Sequence, residues 1–316
     1  MQGLGDLPGG DFESAATAVN GEGSVIVGTS RTDREIPFEH FDLWGTTLAT
    51  NVLGLLRWDG GVMTQLEFPD AALGPITEIA VNAVSSNGSV VVGTFLAPWQ
   101  FEGDSAIWLG HRLQAISPQQ DGISGHNDVS SSGLIVVGYA FGCDCGIPFE
   151  ATRSSPWGPP LALGNLPGFS FQRATAVSGN GEFIAGLASN GPGPDVPFVS
   201  AGARLASLAS VLQDGFGFDV SDWDFNADTS NEGKFDLSFD GSTLVGTARN
   251  PAGAVEAFRV RATPEEWDAA VQTATLALVH TPALRLPGAI ALVVALLLST
   301  VLAALPRAQL SRGERG

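Results

Sequence analysis

The chain is nearly devoid of lysine, cysteine and tyrosine. Of its 316 residues, Lys234 is the single lysine, Tyr139 the single tyrosine, and only Cys143 and Cys145 are cysteines. Lysine and arginine together number 15 against 33 aspartates and glutamates, for a formal net charge of −18. A surface of that sign repels phosphate backbones, so no nucleic-acid partner is expected. Two cysteines are too few for a disulfide-built scaffold. The four histidines, His40, His111, His126 and His280, share no metal-ligand spacing. His126, Asp128 and Ser130 sit too close together on one strand pattern to make a nucleophilic triad. No catalytic constellation stands out, and the chain is not expected to be an enzyme.

What the chain has in abundance is glycine, 40 residues of it. Much of it falls in five copies of one motif: Ala18–Gly28, Ala83–Gly93, Asp128–Gly138, Ala176–Gly186 and Asp236–Gly246. Each copy reads small or acidic, aliphatic, Ser/Asn, a polar glycine-bearing turn, then a short aliphatic run closed by glycine. Asn180-Gly181, Asn87-Gly88 and Asp240-Gly241 are hairpin-turn pairs, and the runs after them read as buried strands. A second, looser motif follows each loop: an aromatic strand, a turn and a leucine-bearing strand, as in Leu55–Phe68, Ser105–Ile116 and Pro197–Leu208. Trp58 and Trp108 hold equivalent places in it, which marks tryptophan as packing between strands. Four strands per repeat is the content of one propeller blade.

The ends of the chain point to a ring. Leu4–Val19 matches Leu163–Val177, but the N-terminal copy of the Leu-Gly-x-Leu-Pro strand has no repeat before it. The fifth repeat stops at Arg261 without its last strand. Gly3–Pro8 is therefore expected to complete the final blade. The expectation is an all-β, five-bladed β-propeller over residues 1–262 with terminal strand closure; a β-solenoid is the alternative, because the spacing is irregular.

These motifs resemble the HAF-type extracellular repeat family, whose units pair an aliphatic-Ser/Asn…Gly-x-x-Val-Val-Gly hairpin with an aromatic strand and a Leu-Gly-x-Leu-Pro strand. The resemblance covers residues 3–262 and is closest over Val211–Val260, including Trp223, Gly246 and the Asn250-Pro251 turn. The third repeat departs from it with Arg153-Ser-Ser-Pro-Trp-Gly-Pro-Pro, and the first by an insertion over Arg31–Asn51. The resemblance implies a repeat fold on a bacterial surface and no particular activity.

Thr263 and Glu266 form a capping box with Pro264 at the first helical position. A short helix within residues 263–285 is expected, with Trp267, Ala270, Val271 and Ala274 on one face. Leu286–Leu305 carries no charge, and Arg307, Arg312 and Arg315 follow it. That pattern reads as a transmembrane helix over 286–305 with a basic cytoplasmic tail over 306–316, which leaves the acidic repeats outside the cell. Such a topology calls for a secretory signal, and Met1–Gly10 has neither a basic nor an apolar segment. A precursor beginning upstream is therefore expected.

Asp222, Asp224, Asn226 and Asp228 alternate as oxygen ligands of a calcium loop would, although Ala227 replaces the turn glycine. The same alternation with Trp223 and Phe225 describes a plain strand. Cys143 and Cys145 are candidates for a local disulfide. Trp44 and Trp99 lie in loops and are the candidate ligand contacts. The expected role is a membrane-anchored surface module binding an extracellular protein or glycan. The alternatives are a secreted carbohydrate-active hydrolase or lyase, with Asp104, Asp128 and Asp195 at a central channel, and a cation-binding structural surface protein.

Overall fold

Why each repeat folds as it does is visible at its turn. A computed structural model describes residues 3–9, 12–35, 51–68, 78–96, 104–116, 122–142, 149–190, 195–225 and 235–280. In the second copy the Ser85 hydroxyl accepts the Val90 N–H at 3.0 Å. Asn87 Oδ1 accepts from the Ser85 hydroxyl and from the Ser89 N–H. Ser130, Ser178 and Ser238 repeat the first bond toward Ile135, Phe183 and Thr243. Asn20 replaces the serine in the first copy and accepts from Val25. The Ser/Asn of the motif is thus a turn cap, and the glycine three residues on, such as Gly88 at φ +71°, supplies the left-handed step.

From each turn an antiparallel sheet is laid down in chain order. The first sheet is β1 (Ser14–Val19), β2 (Val25–Glu35), β3 (Asn51–Asp59) and β4 (Val62–Gln65). The second is β5 (Glu78–Val84), β6 (Val90–Leu96), β7 (Asp104–Leu109) and β8 (Arg112–Ile116). The third is β9 (Gly122–Val129), β10 (Val136–Gly142), β11 (Glu150–Ser154) and β12 (Leu161–Ala162). The fourth is β13 (Phe171–Val177), β14 (Phe183–Ser189), β15 (Val196–Ala201) and β16 (Arg204–Ser207). The fifth has three strands, β17 (Asp236–Leu237), β18 (Thr243–Arg249) and β19 (Val255–Arg261). Trp58 pairs with Ile26, and Trp108 with Val91, so the two tryptophans are equivalent in register. Trp108 is fully buried, and its Nε1 donates to Glu67 O at 2.7 Å.

The first strand of the first four sheets carries a bulge where it pairs with its neighbour, between Ala16 and Ala18, Val81 and Ala83, opposite Val137 and Gly138, and between Ala174 and Ala176. The bulge turns a main-chain carbonyl toward the closing glycine of the motif. A Cβ on Gly28, Gly93, Gly138 or Gly186 would strike the carbonyl oxygen of Ala15, Ala80, Gly125 or Arg173. Those glycines are required by space and not by a left-handed backbone.

Successive sheets nest through their turns. Gly88 seats on Val25, Gly133 on Val90, Gly181 on Ile135 and Gly241 on Phe183. Asn82 Nδ2 donates to His126 O, and Asn127 Nδ2 to Ala174 O, both at 2.7 Å, tying the second sheet to the third and the third to the fourth. Four junctions are made this way. The junction between the fifth sheet and the first is not, among the described residues: Gly23 meets no described atom within 4 Å, and Val19 is 57% exposed.

Gly3–Pro8 forms no strand, which corrects the expected fourth strand of the last sheet. The segment packs on the first sheet instead: Leu7 is buried, its N–H donates to the Ser30 hydroxyl, and that hydroxyl donates to Asp6. Its partner motif at Leu163–Gly168 packs likewise on the fourth sheet, but also pairs backward through Leu163 N–H to Ala151 O at 2.8 Å. Hydrophobic seating of the leucines explains the first half of that arrangement; the backward pairing is the half that Gly3–Pro8 lacks.

The C-terminal helix spans Pro264–His280. Thr263 N–H donates to Glu266 Oε2 at 2.8 Å, and Glu266 N–H to Thr263 Oγ1 at 3.3 Å, so the capping box forms as read. Thr263→Ala is expected to lower stability by about 1 kcal/mol, measured by urea unfolding. Trp267, Ala270, Val271 and Ala274 are buried in one cluster with Leu208, Val211, Leu212 and the fifth-sheet residues Leu237 and Leu244. The apolar face is therefore spent on the repeats. Among the described residues no helix is long and apolar enough to cross a membrane; Leu286–Leu305 lies outside them.

Candidate functional site

The bulges that shape the sheets also aim side chains. The residue at the bulge, or the one after it, turns off the sheet face and toward the middle of the repeats. Thr17 from β1, Asn82 from β5, Asn127 and Asp128 from β9, Thr175 from β13 and Asp236 from β17 all line one central cavity of about 660 Å³. Thr94, Tyr139 and Arg173 add to its polar lining, and Val81, Leu187 and Phe235 to its apolar part. Every sheet contributes to its lining.

Two carboxylates, Asp128 and Asp236, line this channel. Asp128 Oδ1 accepts the Val129 N–H and Oδ2 the Val177 N–H of the next sheet, both at 2.8 Å. Asp236 Oδ1 accepts the Leu237 N–H in the same way, and Asp236 remains exposed. Burial of its carboxyl pushes Asp128 from the ordinary 3.8 up to about 7, against the two N–H bonds, and the charge of Asp236 adds to the rise. The proton is therefore held more tightly in the folded chain than in the unfolded one. This group's contribution to stability is largest below pH 4 and falls as pH rises from about 4 to about 7. The loss is expected to be on the order of a few kcal/mol across that window, and Asp128→Asn should flatten that slope in urea melts run at stepped pH.

The sequence carries a signal for this pair. The third and fifth motif copies open on aspartate, Asp128 and Asp236, where the other three open on alanine. Read as a position in a repeat, that is a two-fold exception aimed at one axis. Of the carboxylates named for a channel, Asp128 lines it. Asp195 lines the adjoining groove and accepts from Arg173 Nη2 at 3.1 Å. His126, Asp128 and Ser130 form no triad: Ser130 is a turn cap, Asp128 holds main-chain N–H groups, and His126 bonds the Ala106 backbone. Burial lowers His126 to about 4 and keeps it neutral.

Beside the channel, between the third and fourth sheets, lies a groove of about 330 Å³. Tyr139, Phe149 and Phe171 form one wall, with ring centroids 6.0 Å and 5.3 Å apart along the row. A parallel bridge between Phe149 and Phe171 fixes the wall, with Gln172 N–H donating to Phe149 O at 2.9 Å.

Of the calcium candidates, Asp222 and Asp224 are described, and Asn226 and Asp228 lie outside the described residues. Asp224 pairs its main chain with Arg249. Trp223 and Phe225 stack with centroids 6.3 Å apart and pack against the core cluster of the C-terminal helix. Cys143, Cys145, Trp44 and Trp99 lie outside the described residues. Among the described residues no group of three or more His, Cys, Asp and Glu is placed to hold a metal ion.

No protein-family model and no curated protein matches the chain. Solved structures do. A prolyl endopeptidase structure superposes at TM-score 0.51 with 10% identity, over 79% of this chain and 34% of that one. An oligogalacturonate lyase in complex with manganese superposes at TM-score 0.50 with 12% identity, over 82% of this chain and 69% of that one. TolB from Acinetobacter baumannii matches at TM-score 0.46 and 12% identity, over 79% of this chain and 54% of that one. The chain thus spans about half of that TolB chain and a third of the endopeptidase. At such identities the likeness is one of fold: an all-β repeat of four-stranded antiparallel sheets of the β-propeller kind. The expectation that the chain is not an enzyme is corrected here, because the proteins that share its fold include a peptidase and a lyase.

Proposed function

We propose that the chain is a β-propeller module that binds its ligand in the central channel. One observation carries this: all five sheets send their innermost strand to one polar cavity, of a size usual for ligand sites, about 300–1,000 Å³. Asp236 is the exposed carboxylate offered to a ligand; Thr17 and Thr175 donate within their own sheets, Arg173 is paired with Asp195, and Asn82, Asn127 and Asp128 tie sheets together. The five sheets are read as five blades.

The resemblance to HAF-type surface repeats, the acidic balance and the apolar Leu286–Leu305 followed by arginines support a surface location. The chain is read as held in the membrane by residues 286–305, with the repeats outside and an extracellular protein or glycan as partner. Protease digestion of the repeats on intact cells tests the location; protection until lysis would reverse it. The channel is tested by thermal-shift screening of the full chain against oligosaccharides and peptides. A hit should be lost in Thr17→Phe, which fills the channel, and weakened in Asp236→Asn. A hit indifferent to both would place the site elsewhere.

A second reading is a hydrolase or lyase acting in the same channel. It is favoured by Asp128, whose carboxyl is pushed by burial up to about 7 in a channel that a second carboxylate, Asp236, also lines. Chain cleavage of an oligosaccharide, abolished in Asp128→Asn, would establish it.

A further inference from the structure

We propose that the groove between the third and fourth sheets is a sugar-binding subsite, and that the channel's ligand is a neutral oligosaccharide lying across both. This rests on the channel reading above and gives that ligand its chemical class. The groove and the channel share Tyr139, Arg173 and Leu187, so they adjoin at these three side chains. A chain of sugar units can therefore leave the channel along the aromatic wall.

The wall suits a sugar ring. Phe171 is a large apolar side chain left 40% exposed at a concave site. Its neighbours hold it in place through main-chain bonds, so its exposed part is presented at little entropic cost. A pyranose is apolar on its C–H faces and ringed by hydroxyls; the neighbouring rings are tilted by 51° and 39°, so a single sugar unit meets Phe171 as its platform, with polar groups at the edge. The edge here is Ser189 together with the Arg173–Asp195 pair. Gln172 takes no part, since its side chain is buried and bonded to Leu166 and Asn165.

Charge selects among sugars. Among the described residues lining groove and channel Arg173 is the one cation, and Asp195 already partners it. Asp128 and Asp236 line the channel and Asp195 the groove. A polyuronate would bring its carboxylates against these three, whereas the hydroxyls of a neutral sugar can donate to them. An extended peptide is served less well. It would need free main-chain groups along a strand edge, and the Gln172 N–H at this edge is already given to Phe149 O.

The test is isothermal titration of the full chain with cello-, xylo- and chito-oligosaccharides, with oligogalacturonate and a neutral Gly-Ser-Tyr repeat peptide as comparators. At least one neutral oligosaccharide should bind. Phe171→Ala, at an exposed position, should weaken it about tenfold, and Phe171→Tyr should restore it. Oligogalacturonate should bind less well than the neutral oligomer. Failure of every neutral oligomer, preference for oligogalacturonate, binding of the peptide alone, or binding unchanged in Phe171→Ala overturns the proposal. Asp236→Asn separates the two readings. Loss there with no effect of Phe171→Ala leaves the channel standing without the groove. Loss in Phe171→Ala with no effect of Asp236→Asn leaves the groove without the channel.

Discussion

Trp267→Ala is expected to lower stability by about 3–5 kcal/mol, the cost of emptying a fully buried aromatic site. Trp267 is 1% exposed. It meets Phe216 edge-on at 5.1 Å between ring centroids. It stands in the same cluster as Leu208, Val211 and Leu212 from the helical turns after β16, and as Leu237 and Leu244 from the fifth sheet. The helix has one further tie to the fourth sheet, Arg204 to Asp268 at 2.6 Å, but both groups are well exposed and contribute little. Docking of the helix therefore depends on its apolar face. A companion variant separates packing from polarity. Trp267 Nε1 is buried with no hydrogen-bond partner among the described residues. Trp267→Phe loses volume but also removes an unsatisfied donor, so it should cost clearly less than the alanine variant. Urea melts of both variants, followed by tryptophan fluorescence and by helical circular dichroism, would check this. Equal losses for Phe and Ala would mean that the indole nitrogen is satisfied after all.

Gly93→Ala is expected to cost about 3 kcal/mol, the upper end of the range for overpacking. A Cβ at this position runs into the Ala80 carbonyl oxygen and lies 3.2 Å from the buried Trp108 ring. Neither can retreat: the carbonyl belongs to the bulge that sets the channel-facing residues, and Trp108 is fully enclosed. Gly110→Ala provides the contrast. Gly110 has φ +63° and open space, so its variant should cost only about 1 kcal/mol, from backbone strain. If the two variants melt alike, the bulge yields to the new methyl and the spatial argument fails.

These glycines show how far the sequence could be read. The motif gave away its turns, because a serine or asparagine followed by glycine has few other uses. It gave away its strands through their apolar runs, and Trp58 and Trp108 through their equal offset from the closing glycine. The capping box at Thr263 and Glu266 was legible for the same reason: its chemistry is local. The bulge was not, because one extra residue in a strand leaves no mark on a two-residue period. With the bulge hidden, the direction of Asn82, Asn127 and Asp128 was hidden too, and with it the channel that Asp128 and Asp236 share. The groove was further out of reach. Phe149 and Phe171 belong to different repeats, and neither stands at a motif position. The channel-facing polar residues come from the strands, whereas the candidates read from composition, Trp44, Trp99 and the cysteines, lie outside the described residues.

Each sheet is woven from one unbroken stretch of chain, and each nested turn joins a sheet only to the next. Contacts of this kind are short in sequence, so the loop-closure entropy of forming any one sheet is modest. Such a chain can fold in the order in which it leaves the ribosome, each sheet offering the turn-sized seat for its successor. Among the described residues the first and fifth sheets each have one such neighbour, whereas the second, third and fourth have two. Hydrogen exchange should find the third and fourth sheets protected first and longest.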